Sequence, residues 1–160
     1  MLNSHSIKIG FSFGITSAVI TTLGLMVGLN ASTNSKLVVV GGILIIAISD
    51  SLSDALGVHI SEESEGHHTT REVWESTICT FLTKFFFALL FVVPILLLSL
   101  QTAVVVNILI GALLIIFLSY FISRNQKTKT WGVIVEHLLI ATIVIILTHN
   151  LGTWIRVAFG

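Results

Sequence analysis

Asp50 and Asp54 stand four residues apart in the stretch "AISDSLSDALGVHI". On a helix that spacing puts both carboxylates on one face, about one turn apart. The surrounding residues are apolar, and a carboxylate near the centre of a bilayer is costly to insert. A second one on the same face makes it worse. Such a pair fits a polar cavity, a bound cation or a held proton; the competing reading is a helix-capping or packing role, or snorkelling to the interface. Ser51 and Ser53 widen the polar patch. Just downstream, Glu62, Glu63, Glu65, His67, His68, Glu72 and Glu75 form the densest acidic and imidazole cluster in the chain. His59 pairs with Glu63 at i,i+4 if the helix continues, and Glu72 with Glu75 at i,i+3 on a second helix. Carboxylate and imidazole without thiolate suit Fe²⁺, Mn²⁺ or Zn²⁺ better than Ca²⁺. A solvated acidic loop is the competing reading. Glu136 and His137 are a third group, able to carry protons or to form an interfacial pair near the headgroups.

The elements that must position these groups follow from hydropathy. The chain has 160 residues, 54% hydrophobic and 10% charged, with mean hydropathy +1.02. A soluble domain carries about 25% charged residues, so this composition reads as an integral membrane protein. Zero net charge points away from nucleic acid, and the lone Cys79 excludes an intrachain disulfide or a cysteine zinc cluster. No removable signal peptide is expected. A spanning helix needs roughly 20 apolar residues, and five segments qualify, at about 9–29, 37–60, 78–100, 102–122 and 131–155. None alternates as a strand does. The expected fold is therefore all-α, one transmembrane domain of five helices, with a short acidic loop at 61–77 and a tight turn at Gln101 and Thr102. Lys8, Arg71, Lys84, Arg124, Lys127 and Lys129 fall on one side, against Lys36 and Arg156 on the other. The positive-inside rule then places the N-terminus and the acidic loop in the cytoplasm and the C-terminus outside. Trp131 and Trp154 flank the fifth helix as interfacial aromatics.

The first helix, "GFSFGITSAVITTLGLMVGLN", carries Gly10 with Gly14 and Gly24 with Gly28. Both pairs have the spacing that lets helices approach closely. Ser12, Thr16, Ser17, Thr21 and Thr22 add hydroxyls that can bond within the membrane. Pro94 and Asn107 are candidates for a kink and an interhelical hydrogen bond.

With these residues in view, the chain resembles the vacuolar iron transporter family, as a short prokaryote-like member with a reduced cytoplasmic metal-binding insert. "GFSFGITSAVITTLGLMVGL" is similar to that family's first-helix G-x-S-D-G-L-T pattern, and "SDALGVHISEESE" to its second-helix S-M-G-L-G-x-Y-L-A-x-x-x-E. "VVPILLL" and "THNLGTWI" fit the remainder loosely. The resemblance implies a homodimer of five-helix subunits meeting through helix one, and export of Fe²⁺ or Mn²⁺ from the cytoplasm in exchange for protons. It also implies that glutamates after helix two gather the metal. The chain departs from the family where the first-helix Asp falls on Phe13, the helix-two Met on Asp54, and small residues of helix five on Glu136 and His137. Losing the soft Met ligand favours harder ions such as Mn²⁺.

The expected function is a proton-coupled divalent-metal exporter of the plasma (inner) membrane, not an enzyme, with no permanently bound cofactor. Glu62, Glu63, Glu65, His67 and His68 would collect the ion, with His59 at the mouth and Asp54 and then Asp50 binding it within the bilayer. Protons would return through Asp50, Asp54 or Glu136. Two alternatives stay open: an uncoupled proton or cation channel, and a non-transporting membrane subunit that docks a partner through its acidic loop.

Overall fold

The computed structural model describes the backbone of residues 4–126 and 130–160, and side chains for 6–124 and 130–160. The long apolar runs become α1 (Ser4–Thr33), α2 (Lys36–Glu65), α3 (Thr70–Leu90), α4 (Val92–Leu97), α5 (Leu100–Gln126) and α6 (Thr130–Phe159), with no strand among the described residues. With α3 and α4 taken as one broken span, five helices of 25–30 residues are long and apolar enough to cross a membrane. Large apolar side chains such as Leu37, Ile45, Leu113, Phe117 and Leu147 are more than half exposed around the outside. In water such a surface would drive aggregation, whereas in lipid it meets its natural solvent. The protein is an integral membrane bundle.

The acidic segment corrects the expected loop at 61–77. α2 continues through it to Glu65, and Gly66 closes the helix with φ +67°, a left-handed conformation that glycine adopts without strain. Thr69 starts α3 with a capping box, its side chain accepting from the Glu72 N–H while the Glu72 carboxylate accepts from the Thr69 N–H at 2.8 Å. Only Gly66–Thr69 lie outside helices there. The expected turn at Gln101 and Thr102 also shifts, to Leu98 and Ser99. Pro94 has no N–H to offer, and the span breaks at Phe91 between α3 and α4. Asn107 of α5 donates to the Phe91 carbonyl at 2.8 Å, bridging to the chain at the break.

α1 is the central helix, packed against α2, α3, α5 and α6. Its glycines make that possible within one chain. A Cβ at Gly10 or Gly14 would meet Ser76, Thr80 and Thr83 of α3, and one at Gly24 would meet Val144 of α6. Gly152 of α6 lies so close to α1 that its Cβ would land on the Gly28 carbonyl oxygen, with Ala31 Cβ at 3.0 Å. Backbone cannot yield as a side-chain tip can. Gly152→Ala is therefore expected to push α6 off α1 and cost about 1–3 kcal/mol, read as a lower unfolding temperature in detergent; an unchanged temperature would contradict this packing.

Lys84 corrects the charge count. It is not at a boundary but buried in α3, 1% exposed. Removing it leaves five cations against two, with Lys127 and Lys129 among the five but outside the described residues.

Candidate functional site: an ion cluster at mid-membrane

Asp50 and Asp54 are the fifteenth and nineteenth residues of the 30-residue α2, and Lys84 is the fifteenth of the 28-residue span Thr70–Leu97. Ser17 is the fourteenth of the 30 in α1. Three helices thus bring these groups together about halfway along the candidate membrane spans. Lys84 Nζ donates to Asp54 Oδ2 in a very short ion pair and to Ser17 Oγ at 2.8 Å. Ser17 Oγ in turn donates to Asp54 Oδ2 at 2.5 Å. Asp50 Oδ2 lies 2.6 Å from Nζ, an ion pair by distance although its angles do not make a hydrogen bond. One lysine therefore serves two carboxylates, and with all three groups ionised the cluster carries a charge of −1.

The cluster is not sealed. The Asp50 and Asp54 side chains are 31% and 22% exposed against 2% for Lys84. Asp50 lines an open, mostly apolar groove of about 860 Å³ along α1, α2 and α6. Thr21, Ser32, Ser49, Ser53 and Thr148 punctuate its otherwise apolar wall. A hydrated cation reaching Asp50 from this groove would meet one carboxylate already shared with an ammonium. Binding there is exchange for Lys84 or for protons, rather than filling of an empty site.

The other candidate residues are spread out. Glu62 is buried in α2, eight residues beyond Asp54 on the same helical face, and Ser76 Oγ donates to its Oε2 at 2.5 Å. Its Oε1 is buried without a hydrogen-bond partner. The antiparallel register is consistent: Asp54 faces Lys84 and Glu62 faces Ser76. His59 Nδ1 lies 3.0 Å from Thr77 Oγ1, and its ring meets Trp74 edge-on. Thr77 already donates its single hydroxyl hydrogen to the Val73 carbonyl at 2.6 Å. The hydrogen between them therefore belongs to His59 Nδ1, and Nε2 is the ring's acceptor, a tautomer assigned from the network.

Glu63 and His67 are exposed. Glu65 pairs with His68 at 3.3 Å, Arg71 with Glu75 at 2.8 Å, and Glu72 caps α3. These acids serve helix ends and local pairs. Among the described residues, no three His, Cys, Asp or Glu side chains come together as a metal centre would require. Glu136 is exposed on α6, while His137 Nδ1 turns inward to Ser119 Oγ at 2.8 Å.

The residue of this cluster that the sequence does not single out is Lys84. Its signal was present: a lone lysine in "FLTKFFF", inside an apolar run. Two aspartates on one buried face require a counter-cation, and no other Lys or Arg lies well inside a span. Ser17 reads from the sequence as a hydroxyl able to bond in the membrane, but its partners lie 37 and 67 residues away. Comparison with family models, curated proteins and solved structures finds no match for this chain.

Proposed function

We propose that this protein is a secondary transporter that exchanges a divalent cation, Fe²⁺ or Mn²⁺, for protons at the Asp50–Asp54–Lys84 cluster. The observation that carries the reading is a pair of carboxylates at mid-membrane sharing one buried ammonium, with Asp50 open to a groove. Intramembrane ionisable groups that face a cavity mark ion pathways. The resemblance of the first two helices to vacuolar iron transporters supports the choice of cargo, and with it export from the cytoplasm and a homodimeric assembly.

Charge counting supplies the mechanism. With Lys84 charged, the ionised cluster carries −1. Two protons on the aspartates bring it to +1, and one divalent ion on the ionised pair also brings it to +1. Exchanging one divalent ion for two protons leaves the mid-membrane charge unchanged, so neither half of the cycle meets an added desolvation cost. Lys84 sets this balance and keeps the unloaded carboxylates from facing lipid unpaired.

Metal uptake by proteoliposomes loaded with a fluorescent indicator tests the reading. Saturable flux of Fe²⁺ or Mn²⁺, accelerated by an opposing pH gradient and releasing two protons per ion, is expected. Flux indifferent to the gradient would instead describe a channel. The full pairing of Lys84 favours one second reading, a non-transporting membrane subunit whose ion cluster only holds three helices together. Absence of flux for every ion in folded protein would select it.

A further inference from the structure

The eight acidic residues of the chain are Asp50, Asp54, Glu62, Glu63, Glu65, Glu72, Glu75 and Glu136. None lies at the end of the bundle where α1 finishes, α2 and α5 begin, and α6 finishes. Along the helices, Asp50 is about 21 Å from Lys36 and Glu136 about 30 Å from Arg156, at 1.5 Å per residue. This end holds two cations with no Asp or Glu side chain to meet them. Lys36 is committed, its Nζ donating to the Leu96 and Leu98 carbonyls at 3.2 Å each. Arg156 is exposed and makes no ion pair among the described residues.

Arg156 borders a polar cavity of about 350 Å³ with Asn30, Asn34, Gln101, His149 and Thr153. Gln101 Nε2 donates to Asn34 Oδ1 at 2.9 Å and to Asn30 Oδ1 at 3.5 Å. That clamp turns both asparagine oxygens towards Gln101, an orientation assigned from the network. Their Nδ2 groups then find no acceptor among the described residues. The cavity so combines a guanidinium with amide donors, a hydroxyl and an imidazole, and has no acid. A guanidinium with neighbouring asparagine N–H donors matches the oxygens of a phosphoryl group. The cavity sits towards the helix ends, where spans of this length would reach the lipid headgroups, and the exposed apolar Trp154, Val157 and Phe159 flank Arg156 in the chain.

We propose that this cavity is a binding site for a phosphoryl anion, presented by the headgroup of an anionic phospholipid. A lipid fits better than a soluble anion because its chains would lie along the apolar flank of α6 while Arg156 holds the phosphate. The site is separate from the Asp50–Asp54–Lys84 cluster and stands whether or not the protein transports metal.

The test is ligand-dependent thermal stabilisation of the purified full chain in detergent. Phosphatidylglycerol, phosphatidylcholine with the same acyl chains, and inorganic phosphate are titrated separately. Phosphatidylglycerol should stabilise the wild type saturably. Arg156→Gln should weaken it about tenfold or more, the loss of a charge-assisted hydrogen bond, while Arg156→Lys should fall between. Lys36→Gln, which removes a cation already bonded to carbonyls, should leave lipid binding unchanged. Gln101→Ala keeps the charge and releases the clamp, so it should weaken binding too, and it serves if Arg156→Gln does not fold. Inorganic phosphate acting as strongly as the lipid, and losing its effect in Arg156→Gln, would support the phosphoryl site with a soluble source. Equal binding by wild type and Arg156→Gln, or an equal loss in Lys36→Gln, would overturn the proposal. So would equal stabilisation by the two lipids.

Discussion

Lys84→Met should destabilise the bundle by about 3–5 kcal/mol, the cost of leaving buried charge without its partner. Methionine fills a similar volume and suits a transmembrane helix, so packing alone predicts little change. The loss arises because Asp50 and Asp54 both depend on the Lys84 ammonium, and their cluster goes from −1 to −2 in the middle of α2. Ser17 can still donate to Asp54, but a single hydroxyl does not replace an ammonium. Adding Asp54→Asn to Lys84→Met brings the cluster back to −1, with Asp50 partly open to the groove. The double variant should therefore recover most of the lost stability. Unfolding temperatures of the two single variants, the double variant and the wild type in detergent complete the cycle. Wild-type stability in Lys84→Met would remove the cluster from any account of this fold. Failure of Asp54→Asn to rescue would show that the loss does not arise from the net charge of the cluster.

The cluster also shows where the sequence was legible. Five spans were visible because each apolar run is long enough to cross a membrane and no competing structure satisfies its backbone in lipid. The helices run past the ends of the apolar runs because charged residues continue them. Glu62 and Glu65 extend α2, and the T-x-x-E of Thr69 and Glu72, a helix-start signal written in the sequence, begins α3 inside the supposed loop. The Asp50–Asp54 pair was found because its partners in the pattern are four residues apart. Its counter-ion was not, because Lys84 is 30 residues from Asp54 and meets it only through the antiparallel register of α2 and α3. Local periodicity says which face a residue occupies; it does not say which face of another helix answers it. The glycine pairs of α1 show the same division. Close approach was legible from their spacing, but the partners, α3 for Gly10 and Gly14 and α6 for Gly24, follow only from the packed bundle.

Asp54→Asn should abolish gradient-driven metal flux while leaving the protein folded, and the geometry separates these two effects. Lys84 keeps Asp50 at 2.6 Å and Ser17 at 2.8 Å, so the ammonium stays paired and the cluster becomes neutral rather than more charged. The asparagine oxygen can still accept from Ser17. Stability should therefore fall far less than in Lys84→Met. Transport is different, because one carboxylate and one ammonium already balance, and a divalent ion added to them would carry the cluster to +2 at mid-membrane. The one proton that Asp50 can still release does not balance a divalent ion, so exchange at constant charge is lost. Changing a residue that only supports a metal ligand costs about 10–100-fold, so loss of a carboxylate at the exchange site itself should reduce flux by about 100-fold or more. Asp50→Asn should fail in the same assay, since the charge count is the same. Flux in Asp54→Asn within a few-fold of wild type, from protein with an unchanged unfolding profile, would mean that cations cross elsewhere and that the cluster holds helices together without carrying anything.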